Sequence, residues 1–141
     1  MRHKYTLPAQ SLVEFALIIP IVLALLLGFF DLARAIFYNS SLQNAVRQAA
    51  RSGMVMDFDE EAIRAKVFEN AFGLPVNEDN FAIQIEINTL KDYSGWETLQ
   101  ISAIYCYEPV TPGITSILGN CINTNGKTGI ELTASSVMRL D

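Results

Sequence analysis

The chain runs through three hydrophobic rhythms. From Phe15 to Phe30 no residue is charged, and twelve of the sixteen are Phe, Leu, Ile or Val. If Leu12 to Phe30 is helical it extends about 28 Å at 1.5 Å per residue, close to a hydrocarbon core of about 30 Å. Residues 10–30 are therefore predicted to form a transmembrane helix. Glu14 interrupts the front of the run without preventing insertion. The twelve apolar residues contribute roughly 4 to 7 kcal/mol toward the membrane, against about 2.5 to 3.5 kcal/mol for a carboxylate even at the bilayer centre. Pro20 has no N–H to offer the carbonyl of Ala16 and is expected to bend or loosen the helix there.

Past the span the rhythm becomes amphipathic. Leu32, Ala35, Leu42, Val46 and Ala49 recur at helical spacing, with Asn39 filling the missing step, while Arg34, Gln43, Arg47, Gln48 and Arg51 lie mostly off that stripe. The same helix is predicted to continue through residues 31–53, with Gly53 as its stop. A shorter helix is expected from Asp59 to Phe72, capped by Asp57 or Asp59 and ended by Gly73 and Pro75, with Ala62, Ile63, Val67, Ala71 and Phe72 as its buried face.

Then the period drops to two. Phe81, Ile83, Ile85 and Ile87 alternate with polar or small residues and predict a strand with one buried face. The turn signals in LKDYSGWE separate it from a second strand, Thr98 to Glu108, and a third runs from Ile130 to Leu140. Between them, residues 109–129 read as a long loop with a short helical turn at Ile114 to Leu118. The expected fold class is α+β: a long N-terminal helix, then a small antiparallel three-stranded sheet with a short helix. The predicted parts are a leader (1–9), a membrane helix (10–30), its amphipathic extension (31–53) and a head (54–141).

Charge orients these parts. Arg2, His3 and Lys4 precede the span, whereas Asp31 and Arg34 follow it and cancel, so the N-terminus is expected in the cytoplasm and the head outside. A cleaved secretory signal is the competing reading, since Ala33-Arg34-Ala35 fits a small-x-small site. The apolar run, however, exceeds the usual h-region of about 7 to 15 residues. Cys106 and Cys121 fall on the predicted oxidising side. A bridge between them would close a loop of about 15 residues and stabilise the fold by roughly 3 kcal/mol; two buried free thiols are the alternative.

Composition also excludes several functions. A formal net charge of −5 without a Lys/Arg cluster argues against nucleic acid as a partner. The single histidine, His3, lies in the leader, so the head cannot assemble a His-dependent hydrolase or a His-ligated zinc site. CINTNGKT (121–128) approaches a phosphate-binding loop, but Cys121 replaces its first glycine and a strand rather than a helix follows. DFDEE and NEDN lack the ligand spacing of a calcium loop. No enzymatic activity, cofactor, metal or small-molecule substrate is expected. Tyr93, Trp96, Tyr105 and Tyr107 cluster about the predicted hairpin, where aromatic residues are most often packing.

Residues 9–53, AQSLVEFALIIPIVLALLLGFFDLARAIFYNSSLQNAVRQAARSG, resemble the signature of TadE-like proteins, the pseudopilins of tight-adherence (Flp-type) pilus systems. The matching features are Gln-Ser-x-x-Glu-Phe-Ala, an early proline, an aromatic and Asp at the exit, then Leu-Gln-Asn-Ala-x-Arg and Ala-Arg. YCYEPVTP (105–112) and LTASSVMRLD (132–141) resemble the family's later segments. The resemblance implies cleavage by a prepilin peptidase between Ala9 and Gln10, with Ala9 standing where the family pattern favours glycine. Glu14 then becomes the fifth mature residue. With Phe15 it would pack subunits in the membrane, its carboxylate beside the freed amine of a neighbour. The implied partners are the membrane, the peptidase, the major pilin and other pseudopilins. Another class of function stays open, a tethered binding module that recognises a ligand through the 109–129 loop and Trp96.

Overall fold

A computed structural model describes residues 8–53, 59–74, 83–91, 97–111, 113–122 and 126–139. One helix, α1, runs from Pro8 to Gly53 with Pro20 inside it, about 69 Å at 1.5 Å per residue. Proline suits its first position, where an N–H would have no helical partner. Among the described residues two shorter helices, α2 (Glu60–Asn70) and α3 (Ile114–Leu118), and four strands follow: β1 (Ile83–Lys91), β2 (Glu97–Tyr107), β3 (Cys121–Ile122) and β4 (Thr128–Arg139). The sheet is antiparallel in the order β1-β2-β4-β3.

The expected α+β class holds, and the expected strand count of three is corrected to four. The additional strand is only two residues long, pairing Cys121 with Gly129 and Ile122 with Thr128 at the start of β4. Two residues carry no alternation from which a strand could be read. What holds this one is tertiary: the Cys106–Cys121 disulfide, with 5.9 Å between Cα atoms, ties β3 back to β2. The expected turn at Ile114 to Leu118 is α3.

Boundaries moved for local reasons. β1 extends to Lys91 because Asn88 to Lys91 find partners in Gln100 to Glu97. Helix α2 begins after Asp59, whose carboxylate accepts the Glu61 N–H at 3.1 Å, and ends at Asn70, short of the expected Phe72. Gly73 adopts φ +78, and the turn it makes buries Leu74 while leaving Phe72 80% exposed, so Phe72 is not part of the buried face. Ile63, Val67 and Ala71 are buried as expected. The backbone at Phe72 is used instead, because the Ser41 hydroxyl donates to its carbonyl at 2.6 Å and fastens α2 to α1. Tyr93, Trp96, Phe81 and Leu140 lie outside the described residues.

The core lies between the upper half of α1 and one face of the sheet. Leu42, Ala45, Val46, Ala49 and Ala50 of α1 are buried against Ile63 and Val67 of α2 and Leu99, Ile101, Ala103, Tyr105 and Tyr107 of β2. Ala103 and Ala134 are register partners and both buried. Alanine is a weak strand former, but this pair lowers the sheet surface where the alanines of α1 lie against it, so helix and sheet approach closely. Gly53 packs on Leu99 so tightly that a Cβ there would stand 3.1 Å from Leu99 Cδ2. The start of β2 therefore meets the far end of α1, while its end, Tyr107, meets Asp31. Strand β2 descends toward the span, and β4 climbs away from it.

Candidate functional site: the neck between span and head

Asp31 directly follows the last residue of the uncharged run and is the one buried polar or charged residue among those described, at 5% exposure. Its carboxylate accepts the Tyr107 hydroxyl at 2.9 Å on Oδ1, the Val110 N–H at 2.9 Å on Oδ1, and the Thr111 N–H at 2.7 Å on Oδ2. Burial by itself would push this pKa up. Donors converging on both oxygens outweigh it, with the nearby Thr111 hydroxyl adding its dipole, and hold the group at about 2. Thr111 Oγ1 is buried and completes no hydrogen bond of good geometry, so the formed bonds are those from the two backbone amides and Tyr107.

Around this carboxylate the aromatic residues of helix and sheet interlock. Tyr38 stands edge-on to Tyr105 and Tyr107, with centroids 5.9 and 5.6 Å apart. Arg34 donates to the Tyr38 hydroxyl at 3.2 Å and lies 5.7 Å from the centroids of both Tyr38 and Tyr107, a distance at which a cation is attracted to the ring face. That hydrogen bond, together with the surrounding negative dipoles and Asp31, raises the Arg34 pKa against the opposing effect of burial. Burial pushes both core tyrosines up to about 12, with Asp31 adding to the effect at Tyr107. At neutral pH Asp31 is thus a carboxylate, Arg34 a guanidinium, and Tyr105 and Tyr107 are neutral phenols.

The expected helix stripe is partly corrected here. Leu32 is exposed and Asp31 takes the inward position. Asp31, Ala35, Tyr38, Leu42, Val46 and Ala49 follow one helical face, but hydropathy favours Leu32 as its first member. The informative signal was chemical rather than periodic: a carboxylate at a membrane boundary is costly unless it is partnered.

The other residues singled out from the sequence are dispersed. Glu14 and Phe15 are exposed on the lower half of α1 together with the apolar residues around them, and Pro20 lies within the same stretch. Gln10 is exposed near the helix start and Ala9 is helical, so the expected cleavage position falls inside the first turn of α1. Cys106, next to Tyr107 on β2, is bridged to Cys121. Gly129 is required beside that bridge, since a Cβ would come within 2.5 Å of the Tyr107 carbonyl oxygen and 2.8 Å of Cys106 Sγ.

In outline, one N-terminal helix long and apolar enough to cross a membrane, with its apolar window unburied, carries a disulfide-bonded α+β head. Comparison with protein families sharpens this. The family described as TadE-like protein matches residues 9–51, bearing out the resemblance read over residues 9–53. The match stops two residues before the end of α1. No curated protein and no solved structure matches the chain.

Proposed function

We propose that the protein is a non-enzymatic minor pseudopilin that assists assembly of a tight-adherence pilus, held in the cytoplasmic membrane with its N-terminus inside and its head outside. The TadE-like match over residues 9–51 is the observation that carries this reading. The apolar helix and the disulfide in the head support it, the first by its fit to a bilayer and the second by its compatibility with an oxidising compartment. In this reading a prepilin peptidase removes residues 1–9, and Glu14 meets the new amine of a neighbouring subunit. The major pilin and other pseudopilins are its partners.

Glu14 supplies the test. It stands exposed among apolar residues of the span, where a carboxylate is best placed beside a cation. Replacing it with Gln or Ala should abolish piliation and co-isolation of the pilin partners while leaving the protein in the membrane fraction. Unchanged piliation and unchanged partners would defeat the assembly role. N-terminal sequencing of the membrane-extracted protein should begin at Gln10.

A further inference from the structure

The lower end of the head carries an apolar surface that the neck holds at the level where the span ends. Residues 109–126 contain no charged side chain, the longest such run outside the span. Within it Val110 is 62% exposed, Ile117 83%, Leu118 60% and Ile122 74%. These four residues come from the segment after β2, from α3 and from β3. Glu108 and Lys127, which flank the run in sequence, pair with each other at 2.7 Å. Apolar side chains left in water on a short helix, across an uncharged stretch, are a cost unless something apolar receives them.

Geometry identifies the receiver. Asp31 immediately follows Phe30 and accepts the N–H groups of Val110 and Thr111, so the start of this segment is pinned to the end of the span. Ile114, the first residue of α3, is three steps along the chain from Thr111, a path of at most about 10 Å. Because β2 descends from Gly53 to Asp31, the chain beyond Tyr107 points toward the bilayer. Ile130 of β4 faces Tyr107, and Thr128, the partner of Ile122, lies two residues lower, about 7 Å further along the strand direction. The head-group layer on each side of the hydrocarbon is roughly 5 to 7 Å thick, so these apolar residues fall at its depth.

We propose that Val110, Ile117, Leu118 and Ile122 form a second membrane contact, an interfacial foot by which the head rests on the phospholipid surface beside its own transmembrane helix. The inference relies on the membrane-spanning reading of residues 10–30. It gives the neck a purpose beyond stability: with the foot in the lipid and Asp31 latched, the head is fixed in height and azimuth relative to the span rather than swinging from a single helix. It also explains why the segment folds as a disulfide-bonded extension of the sheet, since a loose loop would lose conformational freedom on each contact with lipid.

Tryptophan quenching in the full chain tests this. Trp96 is the only tryptophan, so in a Trp96→Phe background a single probe is placed by Ile117→Trp (foot), Leu23→Trp (span) or Val137→Trp, an exposed position beside Gln100 at the opposite end of the sheet. Each protein, with its disulfide verified by mass, is reconstituted into phosphatidylcholine vesicles with bromine high or low on the acyl chains. The foot probe should be blue-shifted and lose several-fold more emission to the high bromines than the Val137→Trp probe, while the span probe is quenched by the low ones. A foot probe that stays water-like while the span probe is quenched overturns the foot and leaves the span intact. A span probe that no bromine quenches removes the membrane reading and the foot with it. A blue-shifted foot probe insensitive to bromine means that protein, such as a second copy, covers the patch, and also overturns the proposal.

Discussion

Residues 10–30 and 31–53 form one continuous helix, yet the two halves meet different surroundings. In the lower half apolar side chains project in every direction and are exposed throughout, the pattern of a helix with lipid on all sides. In the upper half Leu32, Ile36 and Phe37 are still exposed, but from Leu42 on the apolar side chains are confined to one face, and alanines alternate with larger residues so that a sheet and a second helix can press against it. The transition begins at Asp31 and is complete by Leu42. The comparison teaches that the head is not an independent domain attached to an anchor. Its core is built on the anchor's own helix, so force or displacement applied to the span is delivered directly into the head.

The largest break in that arrangement should come from the neck. Asp31→Ala would leave the Tyr107 hydroxyl and the Val110 and Thr111 amides without their acceptor, and each buried unpaired group costs about 1 to 3 kcal/mol. A loss of roughly 4 kcal/mol in head stability is expected, read as a lowered denaturation midpoint of the detergent-solubilised protein. Leu42→Ala in the upper half should cost about 3 kcal/mol by the same measurement. Its counterpart in the lower half, Leu26→Ala, should change head stability by less than about 0.5 kcal/mol, and equal effects from the two would erase the distinction between the halves.

Removing the disulfide by the paired Cys106→Ser and Cys121→Ser substitutions should cost about 3 kcal/mol on the chain-entropy model. The loss should appear first as faster proteolysis of residues 109–129, because β3 has only two paired residues of its own. The pH dependence sharpens the account of the neck. Asp31 has a pKa of about 2 in the folded protein and about 3.9 when unfolded, so folding favours its charged form. Its stabilisation is complete above about pH 5 and fades as the pH falls toward 2, amounting to roughly 2 kcal/mol. Denaturation midpoints between pH 2 and 6 should therefore fall more steeply for the native chain than for Asp31→Asn, whose slope lacks that contribution.

Much of this was legible in one dimension because it rests on local rules. The uncharged run from Phe15 to Phe30 declares its solvent by composition, and the stripe through Leu42, Val46 and Ala49 declares a helix with one covered face. Asp59 at the cap and the alternation of β1 and β4 declared three of the head's elements to within a few residues. The family signature was readable for a related reason, since its residues are contiguous on one helix. Phe72 and Leu32 were misplaced because periodicity counts hydrophobicity and does not know which neighbour will arrive. A left-handed glycine turned the first outward, and a partnered carboxylate displaced the second.

The sequence by itself determined the order of parts, the long apolar helix and the α+β class, because each depends on residues close together along the chain. Only the tertiary structure decided that Asp31 is the acceptor for donors 76 to 80 residues away, that Cys121 and Ile122 make a fourth strand, and that α3 and β3 lie against β4. Those outcomes depend on separations through space that no spacing along the chain encodes. A buried carboxylate takes the donors that folding brings to it, and these came from the far end of β2.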